Sequence, residues 1–254
     1  MAEMIVKRAK ISSDDIVLEI GAGLGALTIP IAQAAEKVHA VEKDRQLCEL
    51  LKTELLAKHV TNVSIIPKNI LQVDLPSIGE QQGHPLVVIG NLPYNISSQI
   101  LIQLIRSRIW VSRAILMFQK ELALRITAQP GTKDYGRLSV MLGYCADIKP
   151  VATIKAPAFF PVPKVASEIL EIKFKTELGF PQHDEFMLFK VVKAAFGTRR
   201  KTLKNALAAS GLHIDPQTAL RALDMAGIDP SRRAETLSVS EFVALQISLA
   251  QIEA

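Results

Sequence analysis

Cysteine is scarce in this chain of 254 residues: there are two, Cys48 and Cys145, far apart and each beside apolar residues. Two such cysteines exclude a disulfide framework or a cysteine-held zinc site, and predict buried thiols in a reducing cytosol. No apolar run approaches the roughly 18 residues needed to cross a bilayer. The first residues, MAEMIVKRAKISSDD, contain no apolar core of a secretory signal, so a cytoplasmic protein without membrane association is expected. Acidic residues are missing from one stretch in particular. Between Phe186 and Ile214 stand Lys190, Lys193, Arg199, Arg200, Lys201 and Lys204, with no Asp or Glu. The net charge of +5 is modest, so this uneven distribution says more than the total: it suggests a polyanionic partner.

With 49% apolar and 22% charged residues, the chain can bury a large core. Short apolar runs alternate with helical patterns. Strands are expected over Asp15–Ile20, Lys37–Glu42, Val63–Pro67, Leu86–Ile89 and Ala114–Phe118. Helices are expected over Ala26–Ala35, Asp44–Lys58, Ser98–Arg106 (opened by a serine cap) and Lys120–Thr127. This alternation implies right-handed crossovers and a largely parallel, doubly wound α/β sheet. Two further strands, Asp147–Ile154 and Glu168–Phe174, flank the Pro-rich APAFFPVPKVAS without a helix between them, which predicts an antiparallel hairpin at the sheet edge. After the Gly179–Pro181 break only helical patterns follow. The expected division is residues 1–179 as a cofactor-binding catalytic domain and 180–254 as a small all-α domain.

Ligands of open α/β sheets bind at the carboxyl ends of the strands. The first strand ends in Glu19-Ile20-Gly21-Ala22-Gly23-Leu24-Gly25, and the second ends in Glu42. Glycines at alternate positions allow a tight turn and close backbone approach, and Glu42 can accept from both hydroxyls of a ribose. A nicotinamide dinucleotide site has a similar layout, but its usual spacing is GxGxxG, with a pyrophosphate at the helix N-terminus. Here the spacing is GxGxG, and Glu19 stands two residues before the first glycine. A carboxylate suits an amino group better than a pyrophosphate. S-adenosylmethionine, with an adenosine, an α-amino acid and no phosphate, fits this set. After the third strand, Asn69 can read an adenine amino group and Ile70 can cover a ring face, although an asparagine there can equally cap its own turn.

The fourth strand ends in IGNLPYNISSQI. Asn91-Leu92-Pro93-Tyr94 resembles the [N/D/S]-P-P-[Y/F/W] element of enzymes that methylate amino groups conjugated to a π system. The Asn91 side-chain oxygen and the Leu92 carbonyl are candidate acceptors for such an amino group, and Pro93 stiffens the corner and removes a donor. Tyr94 offers a stacking face for a flipped-out base. Phe159 or Phe160 could form a second wall, and Lys164 could meet a phosphate. The chemistry is methyl transfer by proximity, with no metal required.

Over nearly its whole length the sequence resembles the ribosomal RNA small-subunit adenine dimethyltransferases. The motifs are VLEIGAGLGALT (Val17–Thr28), VEKD (Val41–Asp44), GNLPYNISS (Gly90–Ser98), MFQKELALRI (Met117–Ile126), YGRLSV (Tyr135–Val140), FFPVPKVAS (Phe159–Ser167) and AAFGTRRKTLKNAL (Ala194–Leu207). The resemblance implies a Rossmann-like class I methyltransferase sheet with a helical C-terminal domain. It also implies transfer of two methyls from S-adenosylmethionine to N6 of each of two adjacent adenosines near the 3′ end of small-subunit rRNA, on an assembling particle. It implies cofactor contacts by Gly21, Glu42, Asn69 and Asn91, to which the chemistry of the loop and turn adds Glu19, Gly23, Gly25 and Ile70. Asn91 through Tyr94 would hold the adenine, Phe159 would stack on it, and the helical C-terminal domain would help dock the ribosomal particle; Lys164, Arg199, Arg200, Lys201 and Lys204 are the residues expected to meet RNA, and a monomer is expected. Members usually carry a GQNFL-like segment before the first helix, an Asp at position 69 and an Asp at position 166. Here the chain starts MAEMIVKRAK, so weaker cofactor binding and turnover are expected, whereas Asn69 can still accept from an adenine amino group and Ala166 removes a local loop hydrogen bond rather than chemistry. A large-subunit adenine methyltransferase of the macrolide-resistance type and a non-catalytic ribosome-binding protein of the same fold are the alternatives. Reversing Arg199, Arg200 and Lys201 to Glu is expected to weaken particle binding and flatten its salt dependence while sparing cofactor binding, as measured by sedimentation and calorimetry.

Overall fold

The computed structural model describes residues 2–155, 166–198 and 200–253. Strands β1 (Ile16–Ile20), β2 (Lys37–Val41), β3 (Val63–Ile66), β4 (Leu86–Asn91), β5 (Val111–Gln119), β6 (Ala146–Ile154) and β7 (Ser167–Phe174) form one seven-stranded sheet in the order β3-β2-β1-β4-β5-β7-β6. The first five pair in parallel. β7 runs antiparallel to β5, and β6 pairs with it at the edge, as the Pro-rich hairpin predicted. All five residues of β1 and the first five of β4 are buried, which explains why both read as unbroken apolar runs. The strand order reverses between β1 and β4, which opens a crevice at their carboxyl ends.

Helices α1 (Ala2–Ala9), α2 (Thr28–Ala34), α3 (Arg45–Ala57), α4 (Leu75–Gln82), α5 (Ser97–Arg106) and α6 (Lys120–Thr127) follow the order of the chain. Val17, Val38, Val87, Ile89 and Ile115 of the sheet pack with Ile31 of α2 and with Ile5, Val6 and Ala9 of α1. Polar contacts at its end fasten α1: Arg8 donates to the Val151 carbonyl at 2.9 Å, and Arg113 donates to the Lys10 carbonyl at 3.0 Å and pairs with Asp15 at 2.9 Å. Asp44 caps α3 by accepting from the Gln46 and Leu47 amides, so it stands just outside the helix expected to begin there.

The serine cap expected for α5 is absent. The helix begins at Ser97 after Ile96, which makes no side-chain cap. The Ser97 hydroxyl instead donates to the Pro93 carbonyl at 2.9 Å, because a serine in the first turn can reach back to a free carbonyl.

The chain forms two compact units. One holds the chain up to Ala123 together with Ala146–Thr176; the other holds Leu124–Cys145 and Glu177 onward. The helical unit is therefore discontinuous: besides the segment after Gly179 it takes in α7 (Arg137–Cys145). Within it, the Tyr144 ring stacks on Phe180 with centroids 5.3 Å apart, and its hydroxyl meets His183 Nε2 at 2.9 Å. The Tyr135 hydroxyl donates to the Leu237 carbonyl at 2.9 Å, and burial, with Glu241 nearby, pushes its pKa up to about 12. Helices α8 (Glu185–Ala195), α9 (Leu203–Ala208), α10 (Pro216–Met225) and α11 (Val239–Glu253) complete this unit, with Leu188, Val192, Leu207 and Phe242 in its interior.

The tightest constraint in the sheet lies between β1 and β4. A Cβ on Gly90 would stand 2.8 Å from the Ile20 carbonyl oxygen and 2.9 Å from the Ile20 Cβ. Gly90→Ala is expected to destabilise the fold by roughly 1–3 kcal/mol, read as a lower urea midpoint with an unchanged slope.

Candidate active site at the carboxyl ends of β1 and β4

Beyond β1 the chain turns through Gly21 and Gly23, at φ 77° and 55°, where a side chain is disfavoured. The Gly21 amide donates to the Val41 carbonyl at 2.9 Å, which stitches the turn to β2. Glu42, directly after β2, is buried and uses both carboxylate oxygens: Oε2 accepts from the Gly23 amide at 3.1 Å and Oε1 from the Asp44 amide at 3.0 Å. One side chain thus holds the glycine loop and the start of α3 together. Each oxygen keeps a lone pair, and those are what a pair of ribose hydroxyls would use.

Glu19 differs from Glu42. It is 1% exposed, and its Oε2 has no hydrogen-bond partner. It lines a cavity of about 200 Å³ together with Gly21, Ala22, Gly90, Asn91 and Ile5 of α1. Burial pushes its pKa up from 4.5 to about 7; the nearby Thr28 hydroxyl opposes the rise and the Glu42 charge adds to it. The Thr28 hydroxyl lies close enough to favour the ionised carboxylate, yet its oxygen also lacks a partner of ordinary geometry. A buried carboxylate with an orphan oxygen facing a cavity is costly alone and is completed by a cation with N–H donors. An α-ammonium group is such a cation, so the cavity fits the amino-acid end of S-adenosylmethionine.

Asn69, after β3, uses its side-chain oxygen to cap the 3-10 turn at Ile70–Gln72, accepting from the Leu71 amide at 3.1 Å. Ile70 is buried beneath that turn. Gln103 of α5 fastens the turn from below, donating to the Ile70 carbonyl at 3.1 Å and to the Val73 carbonyl at 2.9 Å. The sequence reading missed Gln103; its only signal was an amide set among the apolar residues of α5.

Asn91 ends β4 beside Met117 of β5 and is exposed where it lines that cavity. Leu92, 2% exposed, anchors the next residue in the core. The Pro93 carbonyl accepts twice, from the Ser97 hydroxyl at 2.9 Å and from the Ile96 amide at 3.2 Å, so α5 fixes the corner. Tyr94 is 40% exposed, and its hydroxyl lies 3.5 Å from that of Ser167, the first residue of β7. Ser167 was missed because the strand pairing that brings it there is invisible in the local sequence. The glycine loop and the NLPY corner meet directly: a Cβ on Gly21 would stand 3.6 Å from the Asn91 carbonyl oxygen.

Phe159, Lys164 and Arg199 lie outside the described residues. Arg200, Lys201 and Lys204 sit in the helical unit, at the α8–α9 connection and the first turn of α9, with Arg200 and Lys201 exposed. No described helix is long and apolar enough to cross a membrane.

The sequence matches the ribosomal RNA adenine dimethylase family over residues 1–251. It is 50% identical over 248 residues to the ribosomal RNA small subunit methyltransferase A of Desulforapulum autotrophicum, covering 98% of this chain and 87% of that one. Among solved structures it is similar to a dimethyladenosine transferase from Plasmodium falciparum, with a TM-score of 0.82, 25% identity and coverage of 98% and 95%. It is also similar to the 23S rRNA methyltransferase ErmE, with a TM-score of 0.69, 25% identity and coverage of 98% and 97%.

Glu19 gives the site a pH signature. The folded chain keeps the Glu19 proton to about pH 7, whereas the unfolded chain loses it near 4.5. The unfolded state therefore binds fewer protons in that window, and stability falls as pH rises through it. Glu19→Gln is expected to stabilise the cofactor-free protein at pH 8 by on the order of 2–3 kcal/mol and to flatten the pH dependence. Urea unfolding at pH 5 and pH 8 measures both effects.

Proposed function

The chain belongs to the ribosomal RNA adenine dimethylase family, and from that premise we propose that it dimethylates N6 of two adjacent adenosines near the 3′ end of small-subunit rRNA. The observation that carries this reading is the shared cavity: Glu19 and Gly21 of the cofactor loop and Asn91 of the NLPY corner line the same space. Glu19 and Gly21 would hold a methyl donor beside acceptors that can hold an amino group.

The donor is S-adenosylmethionine, which supplies a sulfonium methyl when bound. Glu19 would receive its α-ammonium, the positive-φ glycine loop would let its methionine portion approach the backbone, and Glu42 would accept from the ribose. Asn69, through the lone pair its turn leaves free, would accept from the cofactor adenine, and Ile70 would cover a face of that ring.

The target nitrogen is a weak nucleophile because its lone pair is delocalised into the base. The Asn91 oxygen and the Leu92 carbonyl accept from it and favour a more tetrahedral nitrogen. Leu92 can hold that carbonyl still because its side chain is buried. Pro93 offers no competing donor. Tyr94 stacks on the flipped base, an interaction of about 1–3 kcal/mol, and the Ser167 hydroxyl positions its ring. Phe159 would add a second wall. Orientation of a preformed acceptor pair then supplies most of the rate.

The enzyme would act as a monomer in the cytoplasm on an assembling small subunit, meeting RNA through Lys164, Arg199, Arg200, Lys201 and Lys204. Free buried thiols at Cys48 and Cys145 fit a reducing compartment. The outer strand β6 carries Lys149 and a register shift at Pro150, which discourage sheet extension by a second copy.

The deciding experiment offers immature small subunits, mature small subunits and large subunits to the protein with labelled S-adenosylmethionine and maps the modified bases. Label in paired adenosines of immature small subunits is expected; label in large subunits alone overturns the reading. Asn91→Ala is expected to lower turnover by roughly a hundredfold or more with unfolding unchanged. Near-normal turnover would remove Asn91 from the chemistry.

A further inference from the structure

The helical unit holds a second concavity, within the acid-free stretch between Phe186 and Ile214. It measures about 540 Å³, and its lining includes Lys190 and Lys193 of α8, Thr198, and Ser210 and His213 from the α9–α10 connection. Among the described residues, no acid is in that lining. Lys190 and Lys193 are exposed, and neither pairs with a carboxylate among the described residues. The nearby carboxylates that cap helices are already occupied. Asp184 accepts from the Phe186 and Met187 amides, and Asp215 from the Gln217 and Thr218 amides and the Thr218 hydroxyl.

Phe186, Lys190 and Lys193 stand at i, i+4 and i+7 of α8 and so share one helix face. That face is not used for packing, because Leu188, Val191, Val192 and Ala195 supply the core contacts of the helix. Phe186 is 66% exposed, with the Lys190 ammonium 4.3 Å from its ring centroid. An exposed ring whose neighbour Lys190 lines a cationic, hydroxyl-bearing groove has the chemistry of a single-strand site. There the phosphates follow the cations and hydroxyls, and a base stacks on the ring. A duplex cannot use the ring, since its bases are already stacked. An acidic protein surface would use the lysines but has no need of the ring.

We propose that this groove binds the backbone of an unpaired RNA segment through Lys190, Lys193 and His213, with one base stacked on Phe186. The proposal rests on the rRNA-modifying reading above and adds a contact separate from the Arg199–Lys204 block. It makes the helical unit a reader of strandedness as well as of charge.

Fluorescence anisotropy with the full chain tests it, using a labelled unstructured RNA oligonucleotide and a duplex of equal length over a salt series. Phe186→Leu is expected to weaken single-strand binding about tenfold and to leave duplex binding unchanged. Lys193→Gln is expected to reduce the salt slope for the single strand by about 0.7, whereas Lys58→Gln, which removes an exposed charge from the end of α3, changes neither. Equal loss on both RNAs with Phe186→Leu, no loss on either, or displacement of RNA by polyglutamate that depends on Phe186 overturns the proposal. Matching thermal unfolding midpoints establish that the variants fold. Methyl transfer to small subunits by the unmodified chain is scored in parallel. Transfer without Phe186-dependent binding sinks the groove alone, and Phe186-dependent binding without transfer sinks the enzymatic reading alone.

Discussion

Everything at the site depends on how closely β4 passes β1. Gly90 lies against the Ile20 backbone with no room for a Cβ, and this contact brings two unrelated loops into register. One residue past Ile20 stands Gly21; one residue past Gly90 stands Asn91. The pairing of Ile20 with Gly90 therefore sets donor loop and acceptor corner side by side at the switch point. A reaction that depends on proximity needs such a fixed separation, because a small misplacement is expensive in rate. The surrounding bonds preserve it: Gly21 to Val41, Glu42 to Gly23 and Asp44, and Ser97 to Pro93.

The parts of this arrangement that were legible in the sequence are those encoded locally. Glycines at alternate positions after an apolar strand, an acid before them and an amide-proline-tyrosine corner declare themselves within a few residues. The parallel sheet and its antiparallel edge hairpin were legible for the same reason, through alternation and through the Pro-rich gap between two strands. What was not legible is what tertiary structure supplies. Gln103 and Ser167 are ordinary residues by type and matter only because strand and helix pairing bring them to Ile70 and Tyr94. The α5 serine misled because a hydroxyl in the first turn has two possible partners, and here the Pro93 carbonyl takes it. Helix α1 spans eight residues, too few for a convincing period, and Leu124–Cys145 carries no break that would assign it to the helical unit.

The two acids of the cofactor end show how similar side chains are given different tasks. Glu42 is satisfied by backbone amides before any ligand arrives, so it is a structural brace with acceptor capacity to spare. Glu19 is left with an orphan oxygen in a confined space, and the fold carries that cost. The cost is what makes an incoming cation welcome, because the same desolvation that disfavours the lone charge strengthens its pairing.

The interleaving of the two units also bears on how the chain is made. Helix α7 is synthesised well before the elements that bury it, since Phe180, His183 and Phe189 around Tyr144 all come later in the chain. At ribosomal elongation rates that delay is on the order of seconds. During it, a nascent chain presents Val140, Leu142 and Tyr144 uncovered, with the strands β6 and β7 still to be inserted beside β5. A chain stalled before Phe180 would keep that apolar surface indefinitely. Such an incomplete product would be a ready substrate for chaperones and proteases, so the discontinuity that builds the helical unit also marks its unfinished copies for removal.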